Sequence, residues 1–385
     1  MDFTWPYWNE KIKLQFFMKN NFTILLVLCS FLAFSQIPAG YYNAATGTGF
    51  VLKTQLKNII GPHTNVTYTG LWSLYPFSDK RADGKVWDMY STCNLTFGTI
   101  ASGGNQDNGT LGNNPCERFN REHSFPKSWF GGSTSSDPGC DAFHVMPTDK
   151  KMNSLRSNYC YGTVPDANNT IPSTYPTTCK LGITNTAGAP SDLTVFEPAD
   201  EFKGDVARNY FYMATCYQDI IAGWQNLDTA NGSNFLDGTN TTCYKPWALN
   251  MLYQWHLADP VSQKEIDRNN VIYYNSNGQG NRNPFIDNPQ WVQAIWSSAL
   301  TNSVFDALAL INIFPNPSNT GKINIQTTTA LNQIQIVNIN GQLIQIINKP
   351  EPVEQSYSIE NLSKGFYFLK LSADNQTIIK KILVN

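Results

Sequence analysis

The sequence predicts an α+β fold in which a mixed region of helices and strands precedes a small all-β region. Three observations predict it. Apolar residues recur at helical spacing in the central stretch, two short strand-like runs flank a loop near residue 130, and residues alternate in character from about residue 312 onward. A chain of 385 residues has room for two domains. We therefore divide the chain into residues 1–35, 36–305 and 306–385.

Residues 1–35 are predicted to be an N-terminal extension followed by a signal peptide. The apolar run from Phe22 to Phe34 is too short to span a bilayer, and small residues follow it where a signal peptidase cuts. This predicts a mature chain that begins at Gln36 and contains no membrane span. The stretch before Met18 suits no signal peptide, so we expect translation to begin at Met18. A membrane anchor is the alternative.

Charge and cysteine content argue against two classes of protein. The formal net charge is −2 and the pI is near 6.1, so no global basic field attracts a polyanion. Of the eight cysteines, Cys29 lies in the predicted signal peptide, and the others include no Cys-x-x-Cys pair, which disfavours a zinc ribbon. Export permits disulfides. Seven cysteines remain after the signal peptide, which is an odd number, so at least one thiol is free, buried or in an intermolecular bond.

Four stretches of the central region are predicted to be helices. The first, "TGFVLKTQLKNIIG", has apolar residues at helical spacing and ends at Gly61. The second, "DVARNYFYMATCYQDII", is apolar on most sides, which predicts a buried helix. The stretch "PWALNMLYQWHLADPVSQKEIDRNNVIYYN" predicts two helices separated at Asp259-Pro260. We expect the tryptophans of these helices to pack in the core.

Between the first two helices, the sequence predicts a strand, a loop, a second strand and a helix. The first strand lies in "FNREHSFPKSWFGG" and carries Glu122-His123. The second is predicted over Ala142–Met146. Pro147, Thr148 and Asp149 are expected to open the helix of "DKKMNSLRSN", since Thr is a good cap and Asp favours the positive helix end. That helix carries Asn153 and Arg156, which at i, i+3 share one face.

This order of elements suits a phosphodiesterase site with one metal ion. Mg²⁺ prefers oxygen ligands, and Glu122 offers a carboxylate while Asn153 offers an amide oxygen. His123 titrates near neutrality and can take a proton from water, and Arg156 can hold a phosphate oxygen. Neighbouring residues of a strand point to opposite faces, so Glu122 and His123 can serve one site only if the strand ends there. Pro126 makes such an end reasonable.

Structural roles are the alternatives for the same residues. Glu122-His123 could be a charged pair on a surface strand, and Asn153 a plain polar residue of a helix. Arg156 could be the partner of a structural ion pair, and His144 a core histidine whose hydrogen bonds are satisfied.

Several motifs in the same order resemble the secreted endonuclease I family of ββα-metal nucleases. The main ones are "REHSFPKSW", "HVMPTDKKMNSLRSN" and "GNRNPFIDNP", supported by "VWDMYSTC", "FKGDVARNYFYMATCY" and "WHLADPVSQKEIDRNN". The resemblance covers most of residues 40–300. It implies a ββα-metal nuclease core packed with helices, and cleavage of DNA, often also of RNA, without sequence specificity. The implied cofactor is Mg²⁺, with Mn²⁺ and Ca²⁺ as alternatives, and the implied products end in 5′-phosphate.

The resemblance also implies roles for individual residues. His123 matches the general base, and Glu122 and Asn153 match the metal ligands. His144 lies where the family commonly carries histidine in the second strand, and is expected to support the site or contact a phosphate.

Three arginines are the other candidates for contact with a phosphate. Arg121 precedes the Glu-His pair, and Arg156 lies on the predicted helix. Arg282 lies in "GNRNPFIDNP", a turn-rich loop that could equally brace the site. Some relatives carry an arginine in the loop after Glu-His that grips the product phosphate. The loop here, "GGSTSSDPG", has none, so Arg156 or Arg282 would have to replace it.

The C-terminal region has alternating Ile, Val and Thr on short runs separated by turns such as Asn340-Gly341, which predicts a small β-sandwich. Its "FPNPS", "NINGQLI", "GFYFLKL" and terminal "KKILV" resemble the type A sorting domain of the type IX secretion system. This resemblance implies that the type IX secretion machinery is a partner and that the product is secreted or displayed at the cell surface. A carbohydrate-binding β-sandwich is the alternative.

Together these observations predict a secreted, monomeric, sequence-non-specific endonuclease acting on DNA and, as a further substrate, RNA. A catalytically inactive binding module displayed at the surface is one alternative. A phosphodiesterase acting on small phosphodiesters is the other.

Overall fold

The structure is a computed structural model that describes residues 37–308, 311–327, 330–353, 356–373 and 376–385. The predicted extension and signal peptide, residues 1–35, lie outside the described residues. The helices of the first region are α1 Gly49–Ile60, α2 Leu71–Ser78, α3 Asp137–Cys140, α4 Lys150–Arg156, α5 Lys203–Cys216, α6 Gly232–Phe235, α7 Pro246–Ala258, α8 Gln263–Tyr274, α9 Pro284–Asp287 and α10 Gln290–Leu308. Its strands are β1 Phe119–His123, β2 Val145–Asp149, β3 Cys160–Tyr161, β4 Lys180–Ile183 and β5 Thr194–Glu197.

The predicted strand–strand–helix unit is present. Strands β1 and β2 form an antiparallel two-stranded sheet in which Phe119 pairs with Asp149 and His123 with Val145, and α4 packs against both strands. The helix begins directly after Asp149, whose side chain accepts a hydrogen bond from the backbone N–H of Met152. The unit therefore has the ββα order that the sequence predicts.

The position predicted for the second strand is wrong by three residues at each end. It runs over Val145–Asp149 instead of Ala142–Met146, and Pro147 lies within it, opposite Arg121, instead of opening the helix. Both strands of a two-stranded sheet are edge strands, so a proline there removes no necessary ladder hydrogen bond. The helix cap is Asp149, not Thr148.

Helix α5 occupies the centre of the main core. Every residue of α5 except Lys203 is buried, and α1 and α7 pack against it. The helix ends at Cys216, earlier than the predicted stretch, because Tyr217 leaves helical geometry and donates its hydroxyl to Asp141. A capping box of Ser262 and Glu265 starts α8 after the Asp-Pro break. The predicted helices at α1, α7 and α8 are thus confirmed.

The C-terminal region is all-β, as predicted. Its strands are β6 Asn312–Phe314, β7 Ile323–Gln326, β8 Gln333–Asn338, β9 Leu343–Asn348, β10 Ser356–Ile359, β11 Gly365–Ala373 and β12 Gln376–Val384. They form a sheet of order β10-β7-β6 and a sheet of order β12-β11-β8-β9. The buried apolar residues of both sheets form one cluster, which shares no residue with the clusters of the first region. The fold is therefore α+β, with a helical and stranded first region and an all-β second one.

Cysteine pairing is resolved by the structure. Cys93 and Cys116 form a disulfide, and the other five cysteines of residues 37–308 are buried thiols.

Across the part of the chain that is described, we find no helix whose length and apolar character would let it cross a membrane. The predicted domain boundary at residues 305 and 306 falls inside α10, which extends to Leu308.

Candidate active site

Strand β1 ends at His123, the second residue of the Glu-His pair. Beyond the strand end, the carbonyl oxygens of His123 and Ser124 accept hydrogen bonds from Arg156 Nη1 and Nη2 at 2.7 and 2.5 Å. The chain is thus fixed where it turns away from the sheet.

Glu122 is a buried carboxylate with two polar partners. Its Oε1 is 2.9 Å from Arg156 Nη1 and accepts a hydrogen bond of 2.9 Å from the Tyr90 hydroxyl, which also bonds the hydroxyl of Tyr161. Burial raises the pKa of Glu122 to about 7, while the Arg156 charge and the Tyr90 hydrogen bond oppose that rise. Both contacts are to Oε1, so Oε2 is the oxygen with which Glu122 can bind a cation.

The ring of His123 is held by a backbone carbonyl. Its Nε2–H donates to the carbonyl oxygen of Gly139 at 3.1 Å, which leaves Nδ1 as the nitrogen that can accept a proton. Burial, followed by the nearby His144, lowers the pKa of His123 to about 3, so the ring is neutral at pH 7. Any larger residue at position 139 would force the backbone to shift, because a Cβ there would lie 2.0 Å from the carbonyl oxygen of Ser133.

Two more rings flank His123. Tyr68 stacks on it with ring centroids 5.7 Å apart and an interplanar angle of 26°, and the His144 centroid lies at 5.6 Å. His144 is fully buried, donates Nε2–H to the carbonyl oxygen of Pro138, and has no partner at Nδ1. Burial lowers the pKa of His144 to about 4. His144 lies one residue before β2, next to the candidate base.

Asn153 lies on the face of α4 that meets β1. Its Nδ2 donates to Asn120 Oδ1 at 2.7 Å and to the carbonyl oxygen of Arg121 at 3.5 Å. These bonds use the amide nitrogen, so Oδ1 is the atom available to bind a cation. Asn153 and Arg156 both reach β1, as their i, i+3 spacing predicts.

The three candidate arginines have different surroundings. Arg121 lies over the rings of Tyr68 and Trp72, at 3.5 and 4.4 Å from their centroids, and is only half buried. Its Nη1 donates to the carbonyl oxygen of Tyr68 at 2.6 Å, and of the three candidate arginines it is the one that is not fully buried.

Arg156 is fully buried, and its contacts with Glu122 and two carbonyls favour the ion-pair alternative. Arg282 is not brought to the ββα unit, because it is buried in a two-point ion pair with Asp287 on α9. Gln279, directly before this loop, bonds both Asp141 and the backbone N–H of Ala142, in the segment between β1 and β2.

Glu122 and Asn153 fit a hard divalent cation in the kind of atom they offer. A carboxylate and an amide oxygen are ligands that Mg²⁺ accepts, and the ion usually retains several waters. In the described part of the chain, no group of three or more His, Cys, Asp or Glu side chains could hold a metal ion. A cation at Glu122 and Asn153 would therefore depend on two protein ligands.

Three residues of the site were not predicted from the sequence. Tyr90 lies in "VWDMYSTC", a stretch that carries the family resemblance, so a signal for it existed. Gly139 was one of several glycines in a loop. Tyr68 lies in no motif, and only the fold brings it onto His123.

The fold places a helix that carries Asn153 against the strand that ends in Glu122 and His123, with Asn153 bonded to Asn120 and Arg121 of that strand. The family model described as Endonuclease I matches residues 48–290. The chain belongs to the endonuclease I family. An extracellular ribonuclease of Bacillus amyloliquefaciens is 34% identical over 263 residues, which is 66% of this chain and 78% of that protein. One of Bacillus subtilis (strain 168) is 34% identical over 266 residues with the same shares.

The C-terminal region has its own match. Residues 312–385 match the model described as a secretion system C-terminal sorting domain. A solved structure of PorZ, a surface component of the type-IX secretion system of Porphyromonas gingivalis, aligns with 20% of this chain and 12% of its own at 12% identity and a TM-score of 0.17, which is too small a likeness to argue from. The protein is thus a secreted nuclease with a sorting region at its C-terminus.

Proposed function

We propose that the protein is an extracellular endonuclease that hydrolyses phosphodiester bonds of RNA and DNA without sequence specificity and leaves 5′-phosphate ends. One observation carries the proposal: a neutral His123 with Nε2–H fixed on Gly139, at a strand end beside the carboxylate of Glu122. The extracellular ribonucleases that are 34% identical over 263 and 266 aligned residues support RNA as one substrate.

In the proposed reaction, His123 Nδ1 takes a proton from the water that attacks phosphorus. The water oxygen forms the new bond to phosphorus, the bond from phosphorus to the 3′ oxygen breaks, and that oxygen leaves with a proton from solvent. A substrate phosphate beside the ring favours the imidazolium, which raises the pKa of His123 on binding. Stacked Tyr68 and the Gly139 carbonyl keep the ring in one orientation during this transfer.

Glu122 Oε2 and Asn153 Oδ1 are the proposed ligands of Mg²⁺, with Mn²⁺ and Ca²⁺ as alternatives. Such a cation, when bound, supplies polarisation of the scissile phosphate and stabilisation of the leaving oxygen. Arg156 and Tyr90 orient the Glu122 carboxylate. Arg121, half exposed beside the pair, is the proposed phosphate contact, and His144 supports His123 from the other side.

The proposal also covers export of the protein and its oligomeric state. The sorting region supports export through the type IX secretion machinery, with release or attachment at the cell surface afterwards. We propose that the enzyme acts as a monomer. The net charge of −2 supplies no global attraction to nucleic acid, so we expect modest affinity. Non-specific binding draws its affinity from the neutralisation of phosphates, so we expect it to weaken steeply as salt rises.

The test is cleavage of plasmid DNA, single-stranded RNA and bis(p-nitrophenyl) phosphate by the purified protein, with Mg²⁺ and with EDTA. We expect nucleic acid to be cut with Mg²⁺ only, and His123→Ala to lose about 10²–10⁴-fold in rate. Leu257→Ala, at an exposed position of α7, is the control and should match wild type. Intact nucleic acid with every divalent ion would favour an inactive binding module, and cleavage of the small ester alone would favour a phosphodiesterase.

A further inference from the structure

A cavity of about 530 Å³ lies against the turn that holds the two histidines of the site. Its walls are the end of α1, the residues Ser136 to Pro138, and the segment that follows α5. Pro138 lines the cavity, while its carbonyl oxygen binds His144 and that of Gly139 binds His123. Neighbouring Cα atoms are about 3.8 Å apart, so the cavity wall and the support of the candidate base belong to the same turn.

The lining combines apolar walls with a few polar groups. Pro62, Pro138 and Ile220 supply apolar surface, and Asn58 and His63 supply polar atoms. His63 Nδ1–H donates to the carbonyl oxygen of Gly61 at 2.8 Å, which leaves Nε2 as the ring nitrogen for another partner.

The Asp141 carboxylate does not hold this nitrogen in a hydrogen bond. His63 Nε2 is 3.9 Å from Asp141 Oδ2, which is too long for a hydrogen bond. That oxygen already accepts bonds from the hydroxyls of Tyr212 and Tyr217. The cavity therefore offers an imidazole and an amide between apolar walls.

The charges around the cavity disfavour an anion. Lys57 is paired with Asp219, so its charge is already used, and Asp137 adds a further carboxylate. A phosphate would meet two carboxylates and one cation there. A neutral, planar group with hydrogen-bond donors suits the lining better, and the volume lies in the range of sites for small organic ligands.

We propose that this cavity binds one unstacked nucleobase of a single-stranded substrate, adjacent to the scissile phosphate. The inference rests on the proposed nuclease function and adds a substrate class to it. Bases of a duplex are stacked and paired and could enter only after costly extrusion, whereas bases of a single strand are free to enter. The enzyme should therefore prefer single-stranded RNA or DNA to duplex of the same sequence.

The test compares two tryptophan variants of the full protein. Ile220→Trp places a large ring at the cavity, and Ile220 is 50% exposed, so the core is not disturbed. Leu257→Trp, at a position that is 54% exposed on α7 and does not line the cavity, is the matched control. The substrates are a single-stranded oligonucleotide and bis(p-nitrophenyl) phosphate, which has no base.

We expect Ile220→Trp to lose about ten-fold or more in kcat/KM on the oligonucleotide, with turnover of the small ester unchanged. Adenosine should inhibit cleavage of the oligonucleotide by wild type and by Leu257→Trp, but much less by Ile220→Trp. Equal activity of all three proteins on the oligonucleotide, or equal losses of Ile220→Trp on both substrates, would overturn the base site. If wild type cleaves neither substrate, the nuclease function itself fails, which is a distinguishable result.

Discussion

Arg156 illustrates how a residue expected at the substrate can instead hold a catalytic neighbour. Its guanidinium is fully buried between Glu122, two backbone carbonyls and the ring of Tyr161, 4.7 Å from the ring centroid. Removing one partner of a buried ion pair leaves the other charge unpaired in a medium that solvates it poorly. The side chain is therefore a positioning residue in this structure, and its contact with phosphate stays a prediction.

Arg156→Met should lower the free energy of unfolding by about 3–5 kcal/mol, because the Glu122 carboxylate would stay buried without its partner. Urea unfolding of the purified protein measures the loss. The double variant Arg156→Met with Glu122→Gln should recover part of the stability, because the neutral amide of Gln needs no ionic partner. It should recover no activity, because the carboxylate is gone. Arg81→Met, which removes a surface pair with Asp83, should cost less than about 1 kcal/mol. Unchanged stability of Arg156→Met with a raised KM would instead support a phosphate contact.

His256 predicts a component of the pH dependence of stability that is independent of the active site. Burial, followed by the charge of Arg208, lowers its pKa to about 4, and its Nε2–H donates to the carbonyl oxygen of Pro289. An unfolded histidine titrates near 6.5. The unfolded chain therefore binds the proton first, and the contribution of His256 is complete above pH 6.5 and is lost as the pH falls towards 4.

Between pH 7 and pH 4, wild type should lose on the order of 3 kcal/mol more of its free energy of unfolding than His256→Gln. The glutamine at position 256 does not titrate in this range. The difference between the two proteins isolates this histidine from the carboxylates that titrate in the same range. Urea unfolding at a series of pH values provides the measurement. Parallel curves for the two proteins would mean that His256 is not buried in neutral form.

At the scale of elements, the sequence predicts the ββα unit in the correct order but not its boundaries. Glu122-His123 and the spacing of Asn153 and Arg156 were sufficient to predict a strand and a helix face. Pro147 suggested a helix start, because local preference is visible in the sequence whereas pairing with β1 is not. The contacts of Arg156 and Tyr68 depend on residues 32 and 55 positions away, so only the tertiary fold reveals them.

The disulfide acts on the start of the helix that carries Asn153. Cys116 donates its backbone N–H to Asp149 Oδ2 at 2.7 Å, and Asp149 Oδ1 accepts from Met152 at the first turn of α4. The backbone N–H of Asp149 in turn donates to Asp88 at 3.0 Å. The bond between Cys93 and Cys116 therefore anchors the cap of α4 through a short chain of hydrogen bonds.

Cys93→Ser with Cys116→Ser should lower the free energy of unfolding by about 2–4 kcal/mol, because the unfolded chain gains the freedom of the opened loop. Thermal or urea unfolding measures the change. Wild type in dithiothreitol should fall to the stability of the double variant, and the variant should not respond to the reductant. A wild type that is indifferent to dithiothreitol would show that this disulfide does not contribute to stability.

At the scale of the whole molecule, the apolar clusters of the described residues divide between the two regions. The main one includes residues from Leu52 to Leu300, and that of the C-terminal region includes residues from Ile311 to Val384. The family matches divide the chain in the same way, at 48–290 and 312–385. A region that contains its whole core and site is expected to fold without the other.

A chain of residues 37–308 should therefore keep the unfolding free energy and kcat/KM of the nuclease region. A chain that ends at Tyr274 is the control. It lacks Trp296, which is fully buried with its ring centroid 4.7 Å from that of Phe211 on α5, so it should fail to fold. Circular dichroism, urea unfolding and cleavage of RNA compare the three chains. A 37–308 chain that is insoluble or inactive would contradict the separation, because the sorting region would then be part of the enzyme's core.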